Sequence, residues 1–200
     1  MSGVFQQVMR DISTTLTQVY AANAVVVVPG SGTFGMEAVA RQFATGKKTL
    51  VVRNGWFSFR WTQIFEMGNI PASSTVLKAR QVRDEAQAPF APAPIETVGE
   101  TIAREKPDVV FAPHVETSSG MVLPDSYIKA MADAVHAYGG MLVIDCIASG
   151  TLWLNMKALD IDVLISAPQK GWSGAPCCAL VMLGETAVAA LANTTSTSFA

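Results

Sequence analysis

The sequence predicts an α/β fold, a mostly parallel β-sheet with helices on both faces. Two observations predict it. Short apolar runs alternate along the chain with stretches of helical spacing. Most of the short runs are apolar at every position, as strands covered on both faces must be. Composition agrees: of 200 residues, 50% are hydrophobic and 15% charged, enough apolar material for a sizeable core and too little charge for disorder.

Taken in order, Val4, Phe5, Val8, Met9, Ile12, Leu16 and Val19 recur at helical spacing behind Ser2, a suitable N-cap. A strand is expected at about 24–28, then a glycine loop and a helix over roughly 34–45. Residues 49–52 read as a strand, Trp56 to Met67 as a helix and 74–79 as another short strand. Pro89, Pro92 and Pro94 mark a surface loop, "DEAQAPFAPAP", with a helix over 95–105 behind it. "DVVFAPH" is a strand that stops at Pro113, and Asp125 is placed to cap a helix that Gly139-Gly140 ends. "MLVIDC", "DVLISA" and "CCALVML" complete the strands, and "ETAVAALA" starts a last helix. The short polar link before "CCALVML" predicts one antiparallel pairing within the sheet.

Several function classes are excluded. The formal net charge is −2 and no long Lys/Arg run occurs, which argues against nucleic acid and anionic membrane as partners. The longest apolar runs are far too short to span a bilayer, and the start of the chain lacks the apolar core of a secretory signal. The three cysteines, Cys146, Cys177 and Cys178, follow neither disulfide nor zinc spacing, so no metal site is expected. They read as buried thiols in a reducing, cytoplasmic setting.

In α/β sheets, ligands bind at the carboxyl ends of the strands. One sheet edge here collects Ser31, Gly32 and Thr33 after the first strand and Trp56 and Phe57 after the second. His114, Glu116 and Thr117 follow "VVFAP", Asp145 follows "MLVI", and Gln169 and Lys170 follow "DVLISA". Gly30, Gly32 and Gly35 satisfy G-x-G-x-x-G, yet the next strand ends at Arg53-Asn54, where a dinucleotide site needs an acid for the ribose. An arginine there keeps NADP open as an option. Hydroxyls beside free N–H groups at a helix N-terminus suit a phosphate monoester equally well, and a glycine turn with no ligand is the plain alternative. Lys170 and Asp145 are separated by one β–α–β unit, which places them at neighbouring strand ends. Alone, Lys170 reads as a solvated turn lysine. Together with Asp145, the glycine turn and an aromatic ring at Phe57 or Trp56, it fits pyridoxal 5′-phosphate (PLP). That cofactor needs a lysine for its Schiff base, a carboxylate for its ring nitrogen, a cradle for its phosphate and a stacking partner.

The stretches "PGSGTFGMEAVA", "NGWFSFR", "HVETSSG", "VIDCIAS" and "SAPQKGWSGAP" resemble, in order, motifs of the class V aminotransferases, most closely the alanine–glyoxylate and serine–glyoxylate (serine–pyruvate) group. The resemblance implies that Lys170 binds the cofactor and moves the substrate α-proton, and that Asp145 partners the pyridine nitrogen. It further implies that Gln169 and Thr117 contact the cofactor, that Ile147 packs on its ring and that Phe57 stacks on it, with Trp56 adjacent. Ser31, Gly32 and Thr33 correspond to the phosphate turn, with Thr33 standing where many relatives carry His. His114 and Glu116 are expected to bond backbone. The implied fold is a seven-stranded sheet of a large domain followed by a small C-terminal domain, in a homodimer with shared active sites. Residues 1–200 would then be the PLP-binding large domain of a longer enzyme, with the small domain absent from this chain. The implied activity is transamination between a small amino acid, alanine or serine, and a 2-oxo acid, glyoxylate or pyruvate. Two alternatives stay open: another PLP reaction such as a desulfurase or lyase, against which Gln169 stands where desulfurase-like relatives carry His, and a catalytically silent domain holding PLP or NADP.

Overall fold

The computed structural model of the chain describes residues 2–194 and 196. The first helix, α1 (Gly3–Tyr20), is capped by Ser2, whose Oγ accepts from the Phe5 N–H at 3.3 Å. Then follow β1 (Ala24–Pro29), α2 (Gly32–Ala44), β2 (Lys48–Arg53), α3 (Trp56–Gly68), β3 (Ser73–Lys78), β4 (Arg80–Gln81), β5 (Phe90–Ala91) and α4 (Ile95–Glu105). The second half runs β6 (Val109–Pro113), β7 (Val115–Glu116), β8 (Met121–Val122), α5 (Asp125–His136), β9 (Met141–Asp145), α6 (Met156–Leu159), β10 (Val163–Ser166), β11 (Cys178–Leu183) and α7 (Glu185–Ala190), closed by a 3₁₀ turn over Leu191–Asn193.

Seven strands form one sheet in the order β1-β11-β10-β9-β6-β2-β3. The pairs β2–β3, β2–β6, β6–β9 and β9–β10 are parallel. Strand alternation sends Leu50, Val110, Leu142, Ile144 and Leu164 to one face, where they pack with α1, α4 and α5 residues such as Leu16, Ile102, Ile128 and Met131. Val51, Phe111, Val143, Ile165 and Val181 face the other side, against Met36, Val39 and Phe43 of α2 and Trp61 and Phe65 of α3. The mostly parallel sheet covered on both faces is therefore as the sequence predicts. No helix among the described residues is long and apolar enough to cross a membrane.

Four details differ. The sheet has a second antiparallel pairing, because β11 inserts between β10 and β1 and runs against both. Helix α2 begins at Gly32 rather than near 34, with Ser31 as its N-cap. Asp125 is the first helical residue of α5; the cap position falls to Pro124, with no side-chain bond. Cys146 is buried, but Cys178 is only half-buried and Cys177 exposed, since Cys178 is the first residue of β11, paired with Pro29 at the end of its ladder, and Cys177 precedes it. The proline-rich loop is also tied down in part: Ala88 and Ala93 are buried, β5 pairs with β4, and the Tyr127 hydroxyl donates to the Ala93 carbonyl at 2.7 Å.

Helix α2 lies close against the reversed strand because Gly35 has no side chain: a β-carbon there would fall 2.4 Å from that of Ala179. Gly35→Ala must push helix and sheet apart, and is expected to lower stability by about 1–3 kcal/mol, read as a lowered urea midpoint with an unchanged slope.

Candidate active site

Parallel register brings the ends of β6, β9 and β10 into line. Pro113 pairs with Asp145, and Asp145 pairs with Ile165. The chains leaving these strands, with the turn after β1 and the start of α3, enclose a cavity of about 260 Å³. Ser31, Gly32, Thr33, Phe57, Thr117, Asp145, Ile147, Gln169 and Lys170 all line it, whereas Trp56, the other aromatic ring offered by the sequence, is exposed and does not, nor do His114 and Glu116. Met36, Arg60, Val115 and Ala148 complete the wall. Larger hollows exist, such as one of about 420 Å³ between α1 and the 168–178 segment, but that one is lined mainly by apolar side chains and offers no comparable set of converging polar groups.

Asp145 is the last residue of β9 and is buried, at 8% exposure. Its Oδ1 accepts from the Ile147 N–H at 2.9 Å. Burial pushes its pKa up to about 6; the nearby Glu116 adds to the rise, while the Ile147 N–H and the charge of Arg60 oppose it. Lys170 lies in the turn after β10, its side chain exposed at the cavity. The turn is held by the Gly174 N–H donating to the Pro168 carbonyl at 2.7 Å.

The glycine turn has a steric reason. A β-carbon at Gly32 would fall 2.5 Å from Ile147 Cδ1, so any larger residue there must displace the Ile147 side chain, which glycine leaves in place at the cavity wall. Gly30 takes φ +124°, a backbone region that other residues avoid. Its N–H donates to the Cys177 carbonyl at 2.9 Å, which fixes the turn to the start of β11. The first N–H groups of α2 have no partners within the helix, and Ser31, Gly32 and Thr33, which carry them, line the cavity.

Phe57 is positioned by Glu116. This buried carboxylate accepts from the Phe57 N–H at 3.0 Å and the Ser58 N–H at 2.8 Å. The hydroxyls of Ser58 and Ser118 each donate to it at 2.6 Å. Ser118 Oγ in turn accepts from the Trp56 N–H at 2.8 Å. The opening turn of α3 is thus held by the β7–β8 hairpin, across the space a side chain at Gly55 would fill. Burial acts to raise the Glu116 pKa, but these donors outweigh it and hold it below the usual carboxylate value. His114 is buried with Nδ1 at 2.7 Å from Ser149 Oγ, and burial lowers its pKa. Both residues therefore bond their own scaffold.

Arg60 is the polar wall residue that sequence reading missed. It follows Phe57 by one helical turn, and that spacing was available as a signal. A single arginine on a helix otherwise reads as solvated surface.

No family model matches the sequence. Two curated relatives, 2-aminoethylphosphonate–pyruvate transaminases of Salmonella paratyphi A and Lactiplantibacillus plantarum, are each 30% identical over 190 and 199 residues, covering 94% and 92% of this chain and 48% and 50% of their own length. The chain thus spans about half the length of the curated relatives it matches. Among solved structures, ureidoglycine–glyoxylate aminotransferase of Bacillus subtilis superposes with a TM-score of 0.81 at 23% identity, over 98% of this chain and 49% of that one. Alanine–glyoxylate aminotransferase of a Nostoc species gives 0.80 at 22% identity, over 97% and 49%.

Aminotransferases of this fold depend on PLP, and the cavity fits that group on its own terms. The Gly32 turn brings the partnerless first N–H groups of α2 to the cavity at a position where a β-carbon would crowd Ile147. Asp145 is a desolvated acid short of a cationic partner. Gln169 Oε1, beside it in the cavity wall, is buried without a hydrogen-bond partner. Among the described residues no cluster could hold a metal ion.

Two outcomes are expected. Glu116→Ala strands the N–H groups at the start of α3 and should cost about 2–4 kcal/mol, measured by denaturant unfolding, with a change in the near-ultraviolet signal of Phe57 and Trp56. For Asp145 the sign is opposite. A carboxyl with a raised folded pKa contributes stability that is full below its unfolded value and lost as pH rises through about 6. Above that pH the ionised, desolvated side chain costs on the order of 1–3 kcal/mol. Asp145→Asn, without added cofactor, should therefore be more stable than the parent at pH 8, and the difference should vanish below about pH 4.

Proposed function

We propose that this chain, a homologue of PLP-dependent transaminases, is the cofactor-binding domain of an enzyme that transfers an amino group from a small donor to a 2-oxo acid. The observation that carries the reading is the convergence of Lys170, Asp145 and the Ser31–Thr33 turn on one cavity. When bound, the pyridine ring supplies an electron sink for the carbon next to the amino group.

The chain's own residues supply the rest. Lys170 Nζ is the group that would hold the cofactor, and the same nitrogen, when free, would be the base that moves the donor's α-proton. Asp145 offers a carboxylate already cut off from water, which would hold a protonated ring nitrogen as its counter-ion and itself be kept ionised at neutral pH by that charge. Gly32 and Thr33 receive a phosphate at the head of α2. Phe57, fixed by Glu116 through its own N–H, presents a ring to stack on, with Ile147 on the opposite wall. Gln169 and Thr117 line the rim as polar contacts.

The relatives' names support pyruvate or glyoxylate as the acceptor. The donor is a small primary amine with an anionic head group, alanine or serine in our reading. Sites completed by a second copy of the chain, in a cytoplasmic homodimer, are part of the same proposal.

The protein mixed with PLP should develop a visible, borohydride-reducible absorbance that Lys170→Ala abolishes. Alanine or serine should discharge that absorbance, and pyruvate or glyoxylate should restore it. Unchanged reducible absorbance in the variant would overturn the role of Lys170. Discharge by 2-aminoethylphosphonate alone would reassign the donor, and sulfide released from cysteine at the turnover rate would replace transamination by desulfuration.

A further inference from the structure

Arg60 enters the cavity yet has no role in the reaction just described. Its Nη1 donates to Thr33 Oγ1 at 3.1 Å. Its guanidinium lies 5.7 Å from the centre of the Phe57 ring. Among the described residues no carboxylate forms an ion pair with it, whereas Arg41, on the neighbouring helix, is held by Glu37 at 2.7 Å. An arginine at a cavity wall with no ion pair is a positive charge available to a bound anion, with Asp145 the nearby acid on which its field acts.

The hydrogen bond to Thr33 has a direction. Guanidinium can only donate, so the bond occupies a lone pair of the threonine oxygen and leaves the hydroxyl proton for another acceptor. Threonines in helices usually return that proton to a carbonyl of the preceding turn. Thr33 is the second residue of α2, so no helical turn precedes it. The hydroxyl proton, the free N–H groups of the first turn and the guanidinium charge therefore converge on one corner. The helix terminus alone contributes only about half a unit of positive charge, short of what a phosphate monoester requires, and Asp145 adds a negative charge nearby.

Resting on the PLP reading above, we propose that Arg60 is the positioning residue for the cofactor's phosphate: it fixes Thr33 as a donor and supplies the charge by which the site distinguishes PLP from unphosphorylated pyridoxal. Phe57, whose ring centre lies 5.7 Å from the Arg60 guanidinium, lines the same cavity and joins this charge to the candidate stacking face.

The test compares dissociation constants for PLP and for pyridoxal in the parent protein, Arg60→Met, Arg60→Lys, Thr33→Val and the double variant Arg60→Met/Thr33→Val. Displacement of PLP by inorganic phosphate is measured alongside. Arg60→Met should weaken PLP about ten- to a hundredfold while leaving pyridoxal nearly unchanged. Arg60→Lys, which keeps the charge and loses the planar fork, should recover part of the discrimination, and it keeps the test decisive if the methionine variant folds poorly. The double variant should be little worse than Arg60→Met, because the two side chains act as one unit. Equal loss of PLP and pyridoxal, or an unchanged ratio in both Arg60 variants, would overturn the role of Arg60. Failure of the parent protein to take up PLP at all would instead overturn the cofactor reading, and this inference with it.

Discussion

The parallel hydrogen-bond ladder joining β6, β9 and β10 is the constraint on which the site depends. It sets Pro113, Asp145 and Ile165 side by side, so three chain segments leave the sheet at one level and on one edge. An offset of a single residue would send Asp145 to the other face, because side chains alternate along a strand. The apolar residues before it forbid that slip. Leu142 and Ile144 pack under α5 while Val143 packs under α2 and α3, and both faces would lose their cores together. Site geometry is thus inherited from core packing, and the loops only finish it.

Two buried carboxylates within reach of each other show how donors decide function. Glu116 receives hydroxyl and N–H donors from Ser58, Ser118 and Phe57, and its pKa falls. Asp145 receives one N–H, and its pKa rises to about 6. The first is a satisfied anion that organises backbone. The second is left short of partners, at a sheet edge where a cationic ligand can supply what the fold withholds. Natural proteins tend to accept such a local loss where a site requires it.

Much of this was legible in the sequence. Strands apolar at every position announce a sheet covered on both faces, and acids or lysines set directly after such runs announce its carboxyl edge. What escaped has physical causes. The β7–β8 hairpin consists of two-residue strands, too short for any periodicity to register. The place of β11 between β1 and β10 is set by pairing over long sequence distance, which local pattern does not encode. Cys177 and Cys178 look like core beside "ALVML", yet burial depends on where the ladder begins, and it begins at Cys178. Arg60 carries no local mark separating it from a solvated arginine; only the packing of α3 beside the start of α2 reveals its partner.

The reversed strand has a consequence for how the molecule comes into being. Among the described residues β1 pairs only with β11, and the pairing joins residues 24–29 to 178–183. The glycine turn hangs from the end of β1 and is pinned by the Cys177 carbonyl. During synthesis, then, β1 must wait for β11, carrying an open edge while residues 30–177 are made. Closure over so long a span is slow and leaves that edge available to wrong partners. The cradle at the head of α2 is made well before the strand that places it, so a group bound there reports that the sheet has closed around β11.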